Sequence, residues 1–177
     1  MESGKEYLVR PSCRRKDAPM KTVLFVCTGN TCRSPMAECL FNALAREQGA
    51  PGVCAASAGL CAPDGAPASE GALFAMQRRG LSLEGHRART VTRGLLEGAD
   101  LAVCMGQSHL SALRARFPGL TTPIRAFDDP PVSDPYGGDA AAYERAARDI
   151  ARQLPALLDA LSGDKLARYV TDFPNDE

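Results

Sequence analysis

One segment of ten residues carries a cysteine and an arginine at a spacing that suits phosphoryl chemistry. It reads Val26-Cys27-Thr28-Gly29-Asn30-Thr31-Cys32-Arg33-Ser34-Pro35, with the pattern C-x5-R inside it. If such a loop connects a strand to a helix, its backbone N–H groups and the positive end of the helix dipole converge on one spot. Arg33 could present a two-pronged guanidinium to a tetrahedral oxyanion bound there. Cys27 would lie beneath that oxyanion, and the same positive field favours its thiolate form.

This combination predicts nucleophilic catalysis on a phosphoryl group. In-line attack by the Cys27 thiolate would form a phosphocysteine intermediate. Taken singly, a cysteine that ends a strand usually only packs in the core, and an arginine at a helix start is usually solvated. It is the spacing of the two residues, in a loop between a strand and a helix, that predicts catalysis. The nucleotide-binding pattern G-x4-G-K-[ST] is absent from this loop.

The segments on either side of the loop predict a strand and a helix. Residues 22–27 form a short apolar run rich in β-branched and aromatic side chains, which is typical of a buried parallel strand. Ser34 followed by Pro35 predicts a helix start, with Ser34 as the capping residue. Apolar residues then recur at helical spacing as far as Gly49.

The rest of the chain repeats this alternation of strands and helices. Strands are predicted over 53–58, 100–105 and 123–127, and helices over 68–79, 92–97, 108–117 and 140–161. Pro155 should kink the last helix near Ala151 or split it in two. The alternation predicts a single α/β domain with a four-stranded parallel sheet, in which ligands bind outside the carboxyl ends of the strands.

The length and charge of the chain indicate how many domains it has and which kinds of partner are not favoured. The 177 residues suit one domain, which we place at residues 21–162, with a tail over 163–177. Residues 1–20 are rich in charge and proline and are interpreted as a flexible arm or a cloning remnant. With 21 basic and 21 acidic residues, nothing favours nucleic acid or an anionic membrane as a partner. Without a secretory signal or a membrane-length apolar run, a cytoplasmic protein is expected, and no oligomeric state is indicated.

The cysteines do not form a metal-binding or disulfide framework. There are seven, at positions 13, 27, 32, 39, 54, 61 and 104, and no C-x-x-C pair occurs. We therefore expect no metal ion and no cofactor. Cys32 has two interpretations: it could close a disulfide with an oxidised Cys27 and make the activity redox-sensitive, or it could be a small residue packed under the loop.

The string CTGNTCRSP resembles the active-site signature of the low-molecular-weight protein phosphatase family, C-x-G-N-x-C-R-S-P. The family also has a late Asp-Pro dipeptide, which this chain shows at Asp134-Pro135 within VSDPYGGD. The resemblance extends from about Lys21 to Leu161. It implies a three-layer fold with flavodoxin-like strand order and a phosphorylated protein as the substrate.

The resemblance also implies a role for each matching residue. Cys27 would be the nucleophile, Arg33 the phosphate clamp, and Asn30 the residue that holds the strained loop. Ser34 would donate a hydrogen bond to the thiolate. Asp134 would protonate the leaving group and then activate water, which suits a carboxyl group in a proline-stiffened loop.

Other positions would support this site. The loop that binds phosphate would be shaped by Thr28, Gly29, Asn30, Thr31, Cys32 and Ser34. Ser57 and His86 resemble family positions that brace the loop asparagine, although His86 could instead be an exposed turn residue. Asp128 and Asp129 compete with Asp134, because Asp129 also precedes a proline, but only Asp134 is followed by an aromatic residue and two glycines.

The residue at position 31 bears on the substrate. Tyrosine-specific members commonly have isoleucine there, whereas Thr31, together with Tyr136 and the two glycines after it, resembles the bacterial protein-arginine phosphatase branch. The hydroxyl of Thr31 and the carboxylate of Asp134 could accept hydrogen bonds from a phosphoguanidinium. We therefore expect phosphoarginine as the substrate, with phosphotyrosine as the alternative.

Two other functions fit less well. Arsenate reductases of the same fold pass electrons along three cysteines, but the position seven beyond Cys104 is Ser111 in this chain. A module that only binds phosphorylated residues would need neither Cys27 nor Asp134, and both are present.

Overall fold

A four-stranded sheet forms the centre of the molecule. The computed structural model describes residues 20–128, 130–163 and 165–171. The strands are β1 (Lys21–Cys27), β2 (Val53–Gly59), β3 (Leu101–Cys104) and β4 (Ile124–Ala126). Their order is β2-β1-β3-β4, and every neighbouring pair is parallel. This arrangement confirms the predicted fold class, and the strand order is the flavodoxin-like one.

Helices cover both faces of the sheet. They are α1 (Arg33–Glu47), α2 (Glu70–Gln77), α3 (Arg93–Glu97), α4 (Gln107–Arg116), α5 (Ala140–Ser162) and α6 (Leu166–Thr171). Phe25 of β1 packs in a core shared with α1, α2 and α5, whereas Leu24 and Val26 belong to the opposite core, shared with α3 and α4. Because both faces of β1 are buried, its sequence is continuously apolar.

The start of α1 differs from the prediction. Ser34 was expected to cap this helix, but the helix begins at Arg33 and the capping position is Cys32, whose side chain makes no capping hydrogen bond. The Ser34 hydroxyl instead lies 2.9 Å from the sulfur of Cys27. Ser34 is therefore engaged with the loop that precedes the helix, so its hydroxyl serves the site and not the helix end.

The long helix α5 is continuous through Pro155. The predicted possibility that the proline splits the helix is therefore wrong. Pro155 lies on the exposed side, while Ile150, Leu154 and Leu157 are buried in one face that continues across it. Burial of this face holds the helix together although the proline removes one backbone hydrogen bond.

The sequence pattern did not predict α6. Its residues Leu166, Tyr169 and Val170 pack against the core, and the Arg125 guanidinium stacks 4.1 Å from the centre of the Tyr169 ring. The assignment of 163–177 to a tail stays a prediction, and residues 1–19 of the predicted arm lie outside the described residues. Within the described ranges, no helix has the length and apolar character that crossing a membrane requires.

Candidate active site

The loop between β1 and α1 lies at the carboxyl end of the central strand. Cys27 is the last residue of β1 and is 2% exposed, and α1 begins six residues later at Arg33. The neighbouring strands β2 and β3 flank β1 on opposite sides, and their connecting helices cover opposite faces of the sheet. This is the switch point at which open parallel sheets bind ligands.

Two polar groups of the loop and of α1 contact the sulfur of Cys27. The Ser34 hydroxyl lies 2.9 Å away, and the backbone N–H of Asn30 donates to the sulfur at 3.3 Å. Donors directed at a sulfur stabilise its thiolate form. Cys27 therefore occupies a setting suited to a nucleophile, as its position at the start of the C-x5-R pattern indicated.

The side chain of Asn30 makes several of the hydrogen bonds that fix the loop conformation. Asn30 is fully buried and has a φ of +53°, the only positive φ of a non-glycine residue among the described residues. Its Nδ2 donates to both Ser34 Oγ and Ser57 Oγ at 2.9 Å, and its Oδ1 accepts from the backbone N–H of Arg89 at 2.9 Å. These bonds offset the cost of the left-handed backbone, which asparagine tolerates better than most residues.

Ser57 and His86 lie where the resemblance placed them, around Asn30. His86 Nε2 donates to the backbone carbonyl of Asn30 at 2.7 Å, so His86 is not an exposed turn residue without a contact to the loop. Ser57 accepts from Asn30 and itself donates to Glu38 Oε2 at 2.5 Å. Because the Asn30 side chain uses both amide hydrogens and its oxygen, the loop is held from three sides.

Three contributors to this support were missed by the sequence analysis. Glu38 on α1 ends the hydrogen-bond chain through Ser57, and Arg89 binds both Asn30 and the carbonyl of Ser57. A side chain at Gly59 would lie 2.7 Å from the carbonyl of Thr28, so only glycine lets β2 approach the loop this closely. The spacing of Glu38, four residues after Ser34 on one helix face, was an available signal; Arg89 had none.

Asp134 and Arg33 form an ion pair at the mouth of the site. Arg33 Nη2 lies 3.0 Å from Asp134 Oδ2, with the arginine buried and the Asp134 side chain 55% exposed. The Nε of Arg33 is buried and has no hydrogen-bond partner among the described residues. The guanidinium therefore retains donor capacity for an oxyanion while it holds the carboxyl group that the resemblance assigns to proton transfer.

The loop that carries Asp134 is stabilised by tight turns. Asp134 Oδ1 accepts from the backbone N–H of Tyr136 at 3.2 Å, and Gly137 adopts a φ of +72°. The rival Asp128 lies elsewhere, where its Oδ2 accepts from Gln107 at 3.4 Å. Asp129 lies outside the described residues, so the preference for Asp134 over Asp129 stays a prediction.

A cavity of about 310 Å³ opens above Cys27. It is lined by Cys27, Thr28, Gly29, Thr31, Cys32, Arg33, Pro63, Asp134 and Tyr136. The half-buried Thr31 belongs to this lining, and Tyr136 is 79% exposed beside it. The structure thus gathers the predicted nucleophile, arginine and carboxyl group around one cavity. In the described ranges, no three His, Cys, Asp or Glu residues are grouped so that they could hold a metal ion.

Cys32 packs under the loop. Its sulfur lies 3.3 Å from Ser69 Oγ and 3.5 Å from the hydroxyl of Tyr143. Burial and the contact with Cys32 raise the pKa of Tyr143, so its hydroxyl stays protonated. Cys27 and Cys32 are both free thiols. The packing interpretation of Cys32 matches these contacts, and disulfide formation with an oxidised Cys27 stays a prediction.

His109 was not singled out by the sequence analysis. It lies in the first turn of α4, is 7% exposed, and its Nε2 is 2.9 Å from Thr28 Oγ1. Burial lowers the pKa of His109, and the charge of Arg33 lowers it further, with a smaller opposing effect of Asp134. Its position just beyond the carboxyl end of β3, in a chain with two histidines, was a signal that could have found it.

Known proteins are similar to this chain in sequence and in fold. Residues 22–167 match the family described as low molecular weight phosphotyrosine protein phosphatase. The chain is 37% identical over 143 residues to the probable low molecular weight protein-tyrosine-phosphatase EpsP of Ralstonia solanacearum, covering 77% of this chain and 93% of EpsP. It is 36% identical over 146 residues to the protein-arginine-phosphatase of Geobacillus stearothermophilus, covering 79% of this chain and 93% of that protein.

A solved structure agrees with these relatives. A mutant of the YwlE arginine phosphatase with a phosphorylated active-site serine superposes with a TM-score of 0.76 at 30% identity, covering 82% of this chain and 98% of that one. The resemblance drawn from CTGNTCRSP is thereby confirmed at the level of sequence and of fold. The chain belongs to the low molecular weight phosphotyrosine protein phosphatase family, whose members are hydrolases that act on phosphorylated proteins.

Proposed function

We propose that this protein removes phosphate from phosphoarginine side chains of proteins through a phosphocysteine intermediate. The observation that carries the substrate assignment is Thr31, a hydroxyl-bearing residue in the lining of the cavity that also contains Asp134. The similarity to the protein-arginine-phosphatase of Geobacillus stearothermophilus supports the same assignment.

The chemistry of the leaving group explains why a threonine matters. A phosphoguanidinium has N–H groups that need acceptors, and Thr31 Oγ1 and an oxygen of the Asp134 carboxyl group can both accept. An aryl phosphate has no such donors and is better served by an apolar wall. Isoleucine has a shape similar to threonine without the hydroxyl. A site that hydrogen-bonds its substrate discriminates strongly against a compound that lacks the bonding group.

In the first step, the Cys27 thiolate attacks phosphorus as the P–N bond breaks. The new S–P bond gives phosphocysteine, and the protonated Asp134 transfers its proton to the departing nitrogen, so arginine leaves as its guanidinium cation. Arg33 and the backbone N–H groups of the loop stabilise the phosphoryl oxygens. Asp134 can reach this position because its loop already lies against Arg33.

In the second step, water releases the phosphate. Asp134, now a carboxylate, takes a proton from water as the water oxygen attacks phosphorus, and the S–P bond breaks. The electron pair of that bond returns to the Cys27 sulfur. Ser34 and the Asn30 backbone N–H, both within hydrogen-bond distance of the sulfur, stabilise the thiolate that leaves.

Phosphotyrosine is the second candidate substrate. The similarity to EpsP favours it, as does the exposed Tyr136 ring, which could stack on an aryl group. Arsenate reduction is not favoured. The position of the relay thiol is Ser111, and burial raises the pKa of Cys104 to about 12, which keeps it an unreactive thiol.

The experiment compares kcat/KM on peptides that differ only in phosphoarginine or phosphotyrosine. Wild-type protein should prefer phosphoarginine, Thr31→Ile should reverse the preference, and Thr31→Ser, which keeps the hydroxyl, should retain it. If the wild type prefers phosphotyrosine, the substrate assignment is wrong. If Thr31→Ile leaves a phosphoarginine preference intact, the determinant lies elsewhere in the cavity.

A further inference from the structure

The imidazole of His109 contacts the phosphate-binding loop, but it takes no part in the proposed phosphoryl transfer or in the hydrolysis of phosphocysteine. It comes from a different element, the first turn of α4, and reaches Thr28, the residue that directly follows the nucleophile. The backbone carbonyl of Thr28 is fixed separately, since it accepts from the N–H of Cys61 at 2.9 Å. The contact with His109 therefore acts on the Thr28 side chain, and Thr28 is one of the residues that line the cavity.

The two ring nitrogens of His109 have different surroundings. Nε2 is paired with Thr28 Oγ1, whereas Nδ1 is buried and has no hydrogen-bond partner in the described part of the chain. A buried N–H without an acceptor costs more than a buried lone pair without a donor, and such orphaned N–H groups are rare. The neutral ring therefore carries its proton on Nε2, which makes Nε2 the donor and Thr28 Oγ1 the acceptor.

This direction decides where the Thr28 hydroxyl hydrogen points. If Thr28 donated to the imidazole, its hydrogen would face away from the cavity. Because Oγ1 accepts from His109, its own hydrogen is free for an oxyanion above Cys27. We propose that His109 is a positioning residue that orients the Thr28 hydroxyl as a hydrogen-bond donor to the bound phosphoryl group.

The charges around His109 lead to a second consequence. Arg33 from α1 and Asp134 from the loop between β4 and α5 act on the ring, and Asp128 lies near the first turn of α4 through its bond to Gln107. Arg33 disfavours the imidazolium, whereas a dianion bound at Arg33 would offset that repulsion. Binding of a dianion should therefore raise the pKa of His109.

The inference rests on the phosphatase activity and not on the choice of phosphoarginine, so its test uses 4-nitrophenyl phosphate as substrate and sulfate as a competing dianion. Thr28→Val and His109→Leu should each raise the inhibition constant of sulfate about tenfold, the size expected for one lost hydrogen bond to a charged group. Thr28→Ser and His109→Gln keep the hydroxyl and the Nε2 donor, and they should recover most of that affinity.

Two results would overturn the proposal in the kinetic arm. One is a His109→Leu effect that persists in the Thr28→Val background, since a residue that acts through the hydroxyl has nothing to orient there. The other is a His109→Gln variant as impaired as His109→Leu. Thermal melts of the four single variants separate these results from misfolding, because the comparison is made only among proteins with a wild-type transition.

The spectroscopic arm uses the two histidines of the chain. Nitrogen-15 spectra of the wild type should show His109, assigned by its loss in His109→Gln, with the proton on Nε2, and added sulfate should raise its pKa. A proton on Nδ1 would overturn the proposal whatever the kinetics show. The phosphoarginine assignment is decided by the peptide experiment with Thr31, so either proposal can fail alone.

Discussion

The two loops that meet at the cavity are built in opposite ways. The phosphate-binding loop, residues 28–32, contains the fully buried Asn30, whose side chain makes hydrogen bonds with Ser34, Ser57 and Arg89. The acid loop, residues 130–138, places a half-exposed Asp134 against the site through its ion pair with Arg33 and a turn to Tyr136.

The difference matches the two proposed roles, binding of the phosphoryl group by one loop and proton transfer by the other. Stabilising a phosphoryl group needs donors fixed in advance, because reorganising them during the reaction would cost free energy. Proton transfer needs one group within reach of a leaving atom and then of water, and an exposed carboxyl group can serve both. Variants in the two loops should therefore fail in different ways.

The largest effect is expected from the nucleophile in the phosphate-binding loop. Cys27→Ser should lower kcat by at least about 10⁴-fold, because a serine hydroxyl cannot replace the thiolate. Sulfate should still bind, since the donors of the loop and Arg33 remain. Steady-state kinetics measures kcat, and calorimetric titration measures the affinity for sulfate. Turnover near the wild-type rate would contradict the phosphocysteine mechanism.

Next comes the acid loop. Asp134→Asn should lower kcat by about 10²- to 10³-fold while the affinity for sulfate changes little, because proton transfer is lost and the donors are not. Asp128→Asn and Asp129→Asn, which change the two rival aspartates, are the controls and should keep their rates. A large loss in Asp129→Asn with a mild one in Asp134→Asn would move the acid to Asp129.

Two variants of Asn30 test whether the side chain of Asn30 or its backbone conformation stabilises the phosphate-binding loop. Asn30→Gly adopts the left-handed φ without strain, whereas in Asn30→Ala the backbone at this position is strained. The free energy of unfolding should therefore be about 1 kcal/mol lower for Asn30→Ala than for Asn30→Gly. Both should unfold more readily than the wild type because Ser57, Ser34 and Arg89 lose a buried partner. Chemical denaturation measures the order; equal stability of all three proteins would contradict it.

The redox prediction concerns recovery of activity and not its basal level. After brief peroxide treatment and addition of a thiol reductant, wild-type protein should regain activity, whereas Cys32→Ser should stay inactive, because Cys27 has lost its disulfide partner and proceeds to irreversible oxidation. Cys61→Ser, which removes an exposed thiol, is the control and should recover. Equal recovery in wild type and Cys32→Ser would remove Cys32 from protection.

The smallest effect is on the pH dependence of stability. The pKa of His109 is lower in the folded protein than its ordinary value, so the unfolded chain binds more protons in mildly acidic solution. Stability should therefore fall as the pH drops below about 6.5. His109→Gln should show a shallower fall between pH 7 and pH 5, measured by denaturant midpoints. A parallel fall in both proteins would contradict the lowered pKa.

The strands and the start of the catalytic loop were predictable because their signals are local. The apolar run of β1 reports burial on both faces, and C-x5-R at its end requires no partner from elsewhere to be recognised. The α1 start was misassigned by two residues because Ser34 suits a cap equally well, and only its contact with Cys27 shows that its hydroxyl is engaged. Helix α6 was missed because packing against the core, rather than a long periodic pattern, holds its six residues.

By itself, the sequence determined the α/β class, the parallel sheet, the position of the loop proposed to carry the nucleophile, and the family. These rest on patterns within a few neighbouring residues and on a long signature. Only the tertiary structure decided that Glu38 and Arg89 brace Asn30, that Asp134 pairs with Arg33, and that His109 reaches Thr28. Such contacts join residues far apart in the chain, and their partners are selected by how the elements pack, which local sequence patterns do not encode.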